Sequence, residues 1–153
     1  MTTESLPKDH IPAVAYVDGS FDVQTKTFSY GVVFIQDGHA FQYSGTSNEP
    51  HLAEMHNIAG ELMGAMRAME IASVHKIQKL TIYHDYLGIA KWCTGEWRAK
   101  KSGTQAYKQY YTDMRRNIEI DFVHVKAHSG DYYNELADRL AAKALEKNKA
   151  VYA

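Results

Sequence analysis

The sequence predicts an α/β fold, one five-stranded mixed sheet flanked by helices, with elements in the order βββαβααβα. Three observations carry that expectation. The first three apolar stretches are separated only by turn signals, which makes an antiparallel meander. Ala13–Asp18 and Leu80–Asp85 are each short, apolar and closed by an aspartate. Between them Ile58, Leu62, Met66 and Met69 recur at helical spacing. The two strands are therefore joined through a helix and should run parallel by a right-handed crossover.

Taken in order, residues 1–11 are expected to form a flexible lead. Ala13–Asp18 has the apolar continuity of a central strand. Gly19-Ser20-Phe21-Asp22 is expected to turn, with a polar loop up to Thr27. Phe28–Gln36 and His39–Ser44 are strands joined at Asp37-Gly38, a strong hairpin signal. Pro50 marks a helical turn ahead of the main helix, from about Asn57 to Val74. After Leu80–Asp85 come a short helix at Leu87–Trp97, a loop at Lys100–Gly103 and a helix at Gln105–Asn117. Ile118–Val125 is the fifth strand, and Tyr132–Lys147 the closing helix with Leu136, Leu140 and Ala144 in line. Residues 12–148 read as one domain and 149–153 as a tail. A chain of 153 residues buries roughly 68–70% of its unfolded surface.

Seventeen basic against eighteen acidic side chains leave a net charge of -1, which argues against a protein held on nucleic acid by overall charge. Residues 91–116 are the exception, with seven Lys or Arg against two acids. The single cysteine, Cys93, excludes an internal disulfide framework and a cysteine metal cluster. No apolar run reaches the length of a membrane span. Met1–His10 is polar and lacks the apolar core of a signal peptide. A cytoplasmic monomer without membrane contact is the expectation.

The chemistry lies in the acids. Adjacent strands are about 4.8 Å apart, so Asp18 and Asp85, at the carboxyl ends of parallel strands, can share a site. That edge is where ligands of open α/β sheets usually bind. Glu61 borders the buried stripe of the first helix, and Asp138 follows Asn134 by four residues on one face of the last. An oxygen-only set of this kind suits Mg²⁺ or Mn²⁺ better than zinc. Four carboxylates also match the charge of two divalent ions, the arrangement that clamps attacking and leaving oxygens in a phosphoryl displacement.

Y-V-D-G-S (16–20), N-x-x-x-E (57–61), I-Y-H-D (82–85) and A-H-S-G-x-x-x-N-E-x-A-D (127–138) resemble the four motifs of type 1 ribonuclease H, in that family's order. N-I-A-G-E is closest to its bacterial and viroplasmin-type branch. The resemblance implies the ribonuclease H-like fold and cleavage of the RNA strand of an RNA–DNA hybrid, with 3′-hydroxyl and 5′-phosphate ends. It implies Asp18, Glu61, Asp85 and Asp138 as ligands of two Mg²⁺ ions, with Mn²⁺ able to substitute. It implies His128 on a loop assisting product release or proton transfer, and Asn57 and Asn134 touching the nucleic acid. Trp92, in Gly88-Ile89-x-x-Trp92, resembles a tryptophan that packs on the DNA strand.

Small residues at Gly19 and Ser20 would let the RNA 2′-hydroxyls approach, the groups that distinguish the strands. Lys100 and Lys101, in a shortened basic segment, are expected to contact DNA-strand phosphates together with Lys91 and Arg98. The sequence departs from the family at His56-Asn57-Ile58, where Thr-Asn-Asn is frequent, which leaves the DNA phosphate pocket undefined. With so short a lead no separate hybrid-binding domain is expected, and weak substrate affinity would follow. His124 and His128 imitate a zinc pair, but four residues along a strand span about 13 Å, too far for one ion. His124 is read as a half-buried sheet residue, Trp97 as core, and Gly60 and Gly64 as helix-on-sheet packing.

Overall fold

β1 (Pro12–Asp22) lies at the centre of one sheet of order β3-β2-β1-β4-β5, with β2 (Thr27–Gln36), β3 (His39–Ser47), β4 (Lys79–His84) and β5 (Glu119–His124). The computed structural model describes residues 12–126 and 130–152. β1 pairs antiparallel with β2, and β2 with β3, while β4 runs parallel to both β1 and β5. The helices are α1 (Pro50–Ala53), α2 (Ala59–Val74), α3 (Gly88–Thr94), α4 (Ser102–Met114) and α5 (Tyr132–Tyr152). The mixed sheet and element order follow the expectation from sequence.

The two sheet faces are used differently. On one, Ala15, Val17, Phe28, Val32, Phe34, Leu80 and Ile82 pack under Leu62, Ala65, Ala68 and Met69 of α2, with Ile89 and Tyr107 closing the side. This face carries the main core. On the other, α5 crosses β1 and β2, and the Ser29 hydroxyl donates to the Ala141 carbonyl at 2.6 Å.

Contact between α2 and β1 is backbone to backbone. A Cβ on Gly60 would run into the Ser29 carbonyl oxygen and lie 2.8 Å from Gly19 Cα. A Cβ on Gly19 would in turn meet Gly60 Cα at 2.6 Å. Helix-on-sheet packing therefore accounts for Gly60, as read from the sequence, and for Gly19 as well.

Three boundaries differ from the sequence reading. Gly19–Asp22 does not turn, because Gly19↔Tyr30, Ser20↔Ser29 and Phe21↔Phe28 continue the ladder. The turn falls at residues 23–26, closed by Lys26 with φ 57 and by the Asp22 carboxylate accepting from Thr25 Oγ1 at 2.8 Å. α4 starts at Ser102, inside the expected loop, because Thr104 Oγ1 accepts from the Lys101 N–H at 3.2 Å and caps the helix there. The expected tail is helical as far as Tyr152, and Lys149 Nζ lies 3.9 Å from Asp22 Oδ1.

Alanine normally stabilises a helix by about 0.8–1.0 kcal/mol over glycine. Gly60→Ala should do the opposite, lowering stability by about 1–3 kcal/mol through overpacking. Urea denaturation checks this as a fall in the midpoint at unchanged slope.

Candidate active site

The ladder brings the first two acids together. The last β1–β4 pair is Tyr16↔Tyr83, so Asp18 and Asp85 lie level two residues further on, on the same face. Beneath them the rings of Tyr16 and Tyr83 stack with centroids 4.6 Å apart, and Tyr133 of α5 lies against Tyr16 at 5.4 Å. This aromatic layer lies two residues before the acid pair on the same face of the sheet.

Glu61 comes from the first turn of α2, where the helix N-terminus favours a carboxylate. Asp18, Glu61 and Asp85 each place a carboxylate oxygen so that all lie within 4.8 Å of one another. Asp18 and Glu61 are buried and Asp85 half-buried. Asp138 approaches from α5 on the other side, close enough to Asp18 to share a hydrogen bond when one of the two is protonated. It lies outside the tight triad.

Crowding without a cation raises the proton affinity of the acids. Burial, then the charge of Asp85, push Asp18 up to about 8, with Asp138 adding to the effect and the Gly19 N–H, donating at 2.8 Å, opposing it. Burial, then Asp85 and Asp18, push Glu61 up to about 10, opposed by the backbone N–H of Tyr86. Glu61 Oε2 is buried without a hydrogen-bond partner among the described residues. Three clustered oxygen donors, two of them unwilling to ionise alone, and an orphaned carboxylate oxygen fit a hard divalent cation.

The remaining predicted residues divide. Asn57 is exposed on a 3₁₀ turn (His56–Ile58) and lines a hollow of about 540 Å³ with Phe21, Lys26, Asn48 and His56. Lys100 and Lys101 are exposed, and Ser20 is half-buried. Lys91 instead pairs with Glu96 at 2.8 Å. Trp92, expected to face the substrate, is 8% exposed and held between Tyr86 and Trp97 with centroids 5.9 and 5.6 Å away. Asn134 is 3% exposed in the first turn of α5, where Asp131 Oδ1 accepts from its N–H at 3.0 Å. His128 falls outside the described residues. The Tyr86 amide, missed from the sequence, leaves no side-chain signature by which it could be found.

Stability should report the cluster directly. The folded-state pKa values of Asp18 and Glu61 lie above their ordinary values of 3.8 and 4.5, so the folded protein binds protons that the unfolded chain releases. Metal-free stability should therefore fall as pH rises from about 4 through about 8 to 10. Mn²⁺ or Mg²⁺ at pH 8 should restore it. Thermal melts across pH, with chelator and with either ion, check both signs.

The RNase H family model matches residues 11–146. Among curated relatives, ribonuclease H of Neorickettsia sennetsu is 28% identical over 145 residues, covering 85% of this chain and 90% of that one. Among solved structures, RNase H1 of the archaeon Halobacterium salinarum superposes with a TM-score of 0.74 at 20% identity, covering 89% of this chain and 98% of that one. LC11-RNase H1, solved in complex with RNA/DNA hybrid, superposes with a TM-score of 0.73 at 18% identity over the same shares. With a family match that runs from β1 into α5 across all four acids, the chain belongs to the RNase H family.

Proposed function

We propose that this chain is a divalent-metal-dependent endonuclease that hydrolyses the RNA strand of RNA–DNA hybrids, leaving 3′-hydroxyl and 5′-phosphate ends. The observation that carries the reading is the convergence of Asp18, Glu61 and Asp85 within 4.8 Å in a chain matched to RNase H over residues 11–146. A relative of the same fold is solved on an RNA/DNA hybrid, which supports the substrate class.

Asp18, Glu61 and Asp85, with Asp138 beside them, would hold the ions, and Mg²⁺ is the proposed ion with Mn²⁺ able to replace it. Bound there, two ions supply activation of a water for in-line attack and stabilisation of the departing 3′-oxygen. The protein's own part is to hold the ligands. Asp18 is anchored by the Gly19 N–H, and Glu61 is carried by a helix locked to β1 through Gly60. His128 is proposed to assist the proton or product step. The exposed Asn57, Lys100 and Lys101 are proposed to contact substrate, and Ser20 to lie against the RNA.

One labelled sequence, prepared as RNA–DNA hybrid, RNA duplex, DNA duplex and single-stranded RNA, tests the reading with Mg²⁺, Mn²⁺ or chelator. Cutting should be confined to the RNA of the hybrid and abolished by chelator. Cutting of another duplex would keep the site and overturn the substrate. Asp18→Asn should lower the rate by more than about 100-fold while leaving stability in chelator equal or higher. A large loss of stability would make Asp18 structural. Replacing Lys100 and Lys101 together by alanine should weaken hybrid binding and flatten the slope of log affinity against log salt by up to about 1.8.

A further inference from the structure

We propose that His124 is a positioning residue for this site, holding the carbonyl of Asp85 and with it the backbone that aims the Asp85 carboxylate into the acid cluster. The inference rests on the metal-dependent reading above and concerns how its ligands are kept in place. β4 and β5 end together at the pair His84↔His124, so Asp85 and Tyr86 lie past the last rung of the sheet. The Val125 N–H still donates to the His84 carbonyl at 2.7 Å. Beyond it, side chains replace the ladder. His124 Nε2 lies 3.0 Å from the Asp85 carbonyl oxygen, and His84 Nδ1 lies 2.9 Å from the Tyr86 carbonyl oxygen. A carbonyl oxygen only accepts, so both ring nitrogens are the donors. Three consecutive carbonyls are thereby tied down.

The middle one matters most for the chemistry. The Asp85 carbonyl and the Tyr86 N–H belong to one peptide plane, which is trans because no cis bond occurs among the described residues. In a trans peptide the C=O and N–H point in opposite directions. Holding the oxygen toward β5 therefore turns the N–H the other way, toward the β1 side of the sheet that carries Asp18. The same bond fixes the carbonyl of Asp85, itself one of the clustered acids. One histidine thus orients the backbone that carries a ligand without touching its carboxylate. Outer partners of this kind typically change metal affinity or activity by about 10–100-fold.

The test compares His124→Ala and His124→Gln in the intact protein. His124 is exposed at a strand end, so both variants should fold. Glutamine keeps an N–H donor close to the place of Nε2, and alanine removes it. Mn²⁺ and Mg²⁺ affinity is measured by calorimetry without substrate, alongside hybrid cleavage against ion concentration. His124→Ala should weaken ion affinity about tenfold or more, and raise the half-saturating ion concentration for cleavage equally. The KM for hybrid at saturating ion should stay within about twofold, and His124→Gln should recover most of the affinity. Equal ion affinity in wild type and His124→Ala would overturn the proposal. So would a glutamine variant as weak as the alanine one, which would assign the effect to ring packing. Wild-type protein that binds neither ion would overturn the metal-dependent reading itself.

Discussion

Mutual repulsion among Asp18, Glu61 and Asp85 is the constraint to which the surrounding structure answers. Three carboxylate oxygens within 4.8 Å of one another, partly withdrawn from water, disfavour their own ionisation by burial and by like charge together. Left to flexible loops, such groups would move apart. Here they are fixed to elements that cannot retreat: a central strand, the end of its parallel neighbour and the first turn of a helix packed on both. Backbone dipoles supply partial compensation through the Gly19 and Tyr86 N–H groups. What remains uncompensated defines the affinity for a cation.

That requirement propagates into the packing. Glu61 can reach the strand ends only if α2 starts almost in contact with β1, and the contact is so close that neither Gly19 nor Gly60 has room for a methyl group. Gly19, which sequence patterning assigns to substrate access, thus serves helix docking together with Gly60, and the same docking sets the position of a ligand. On the opposite face Gly31 plays the matching part, since a Cβ there would meet Leu140 Cβ at 2.8 Å. α5, which carries Asp138, can then lie close to the sheet. Fold stability and site geometry share these contacts, so a single packing substitution is expected to disturb both.

Legibility in the sequence followed the range of the interaction. Strands, crossover helix and the two strand-end acids announce themselves locally, through apolar runs closed by aspartate and through helical spacing. The continuation of β1 past Gly19 was not legible, because Ser20 and Phe21 are held by β2 partners while Gly-Ser reads locally as a turn. Trp92 and Asn134 read as surface groups for a similar reason. Their burial depends on Tyr86 and Trp97 in one case and on the docking of α5 in the other. His124 was legible only as a strand residue, since its function lies in a hydrogen bond to a carbonyl thirty-nine positions away.

Charge is divided between the two tasks in a way that net composition conceals. An acid cluster repels a polyanion, and a chain of net charge -1 offers no general attraction to offset it. Attraction must come from local cations, and residues 91–116 supply them on α3, α4 and their connecting segment. Part of that excess is spent internally, in the pairs Lys91–Glu96 and Arg116–Asp113. The exposed Lys100 and Lys101 stand at the start of α4. On the reading proposed above, the rest of the attraction comes from the ions that the carboxylates hold. Metal occupancy then bears on substrate affinity as well as on chemistry, because the same ions that complete the acid cluster remove its repulsion for the phosphate backbone.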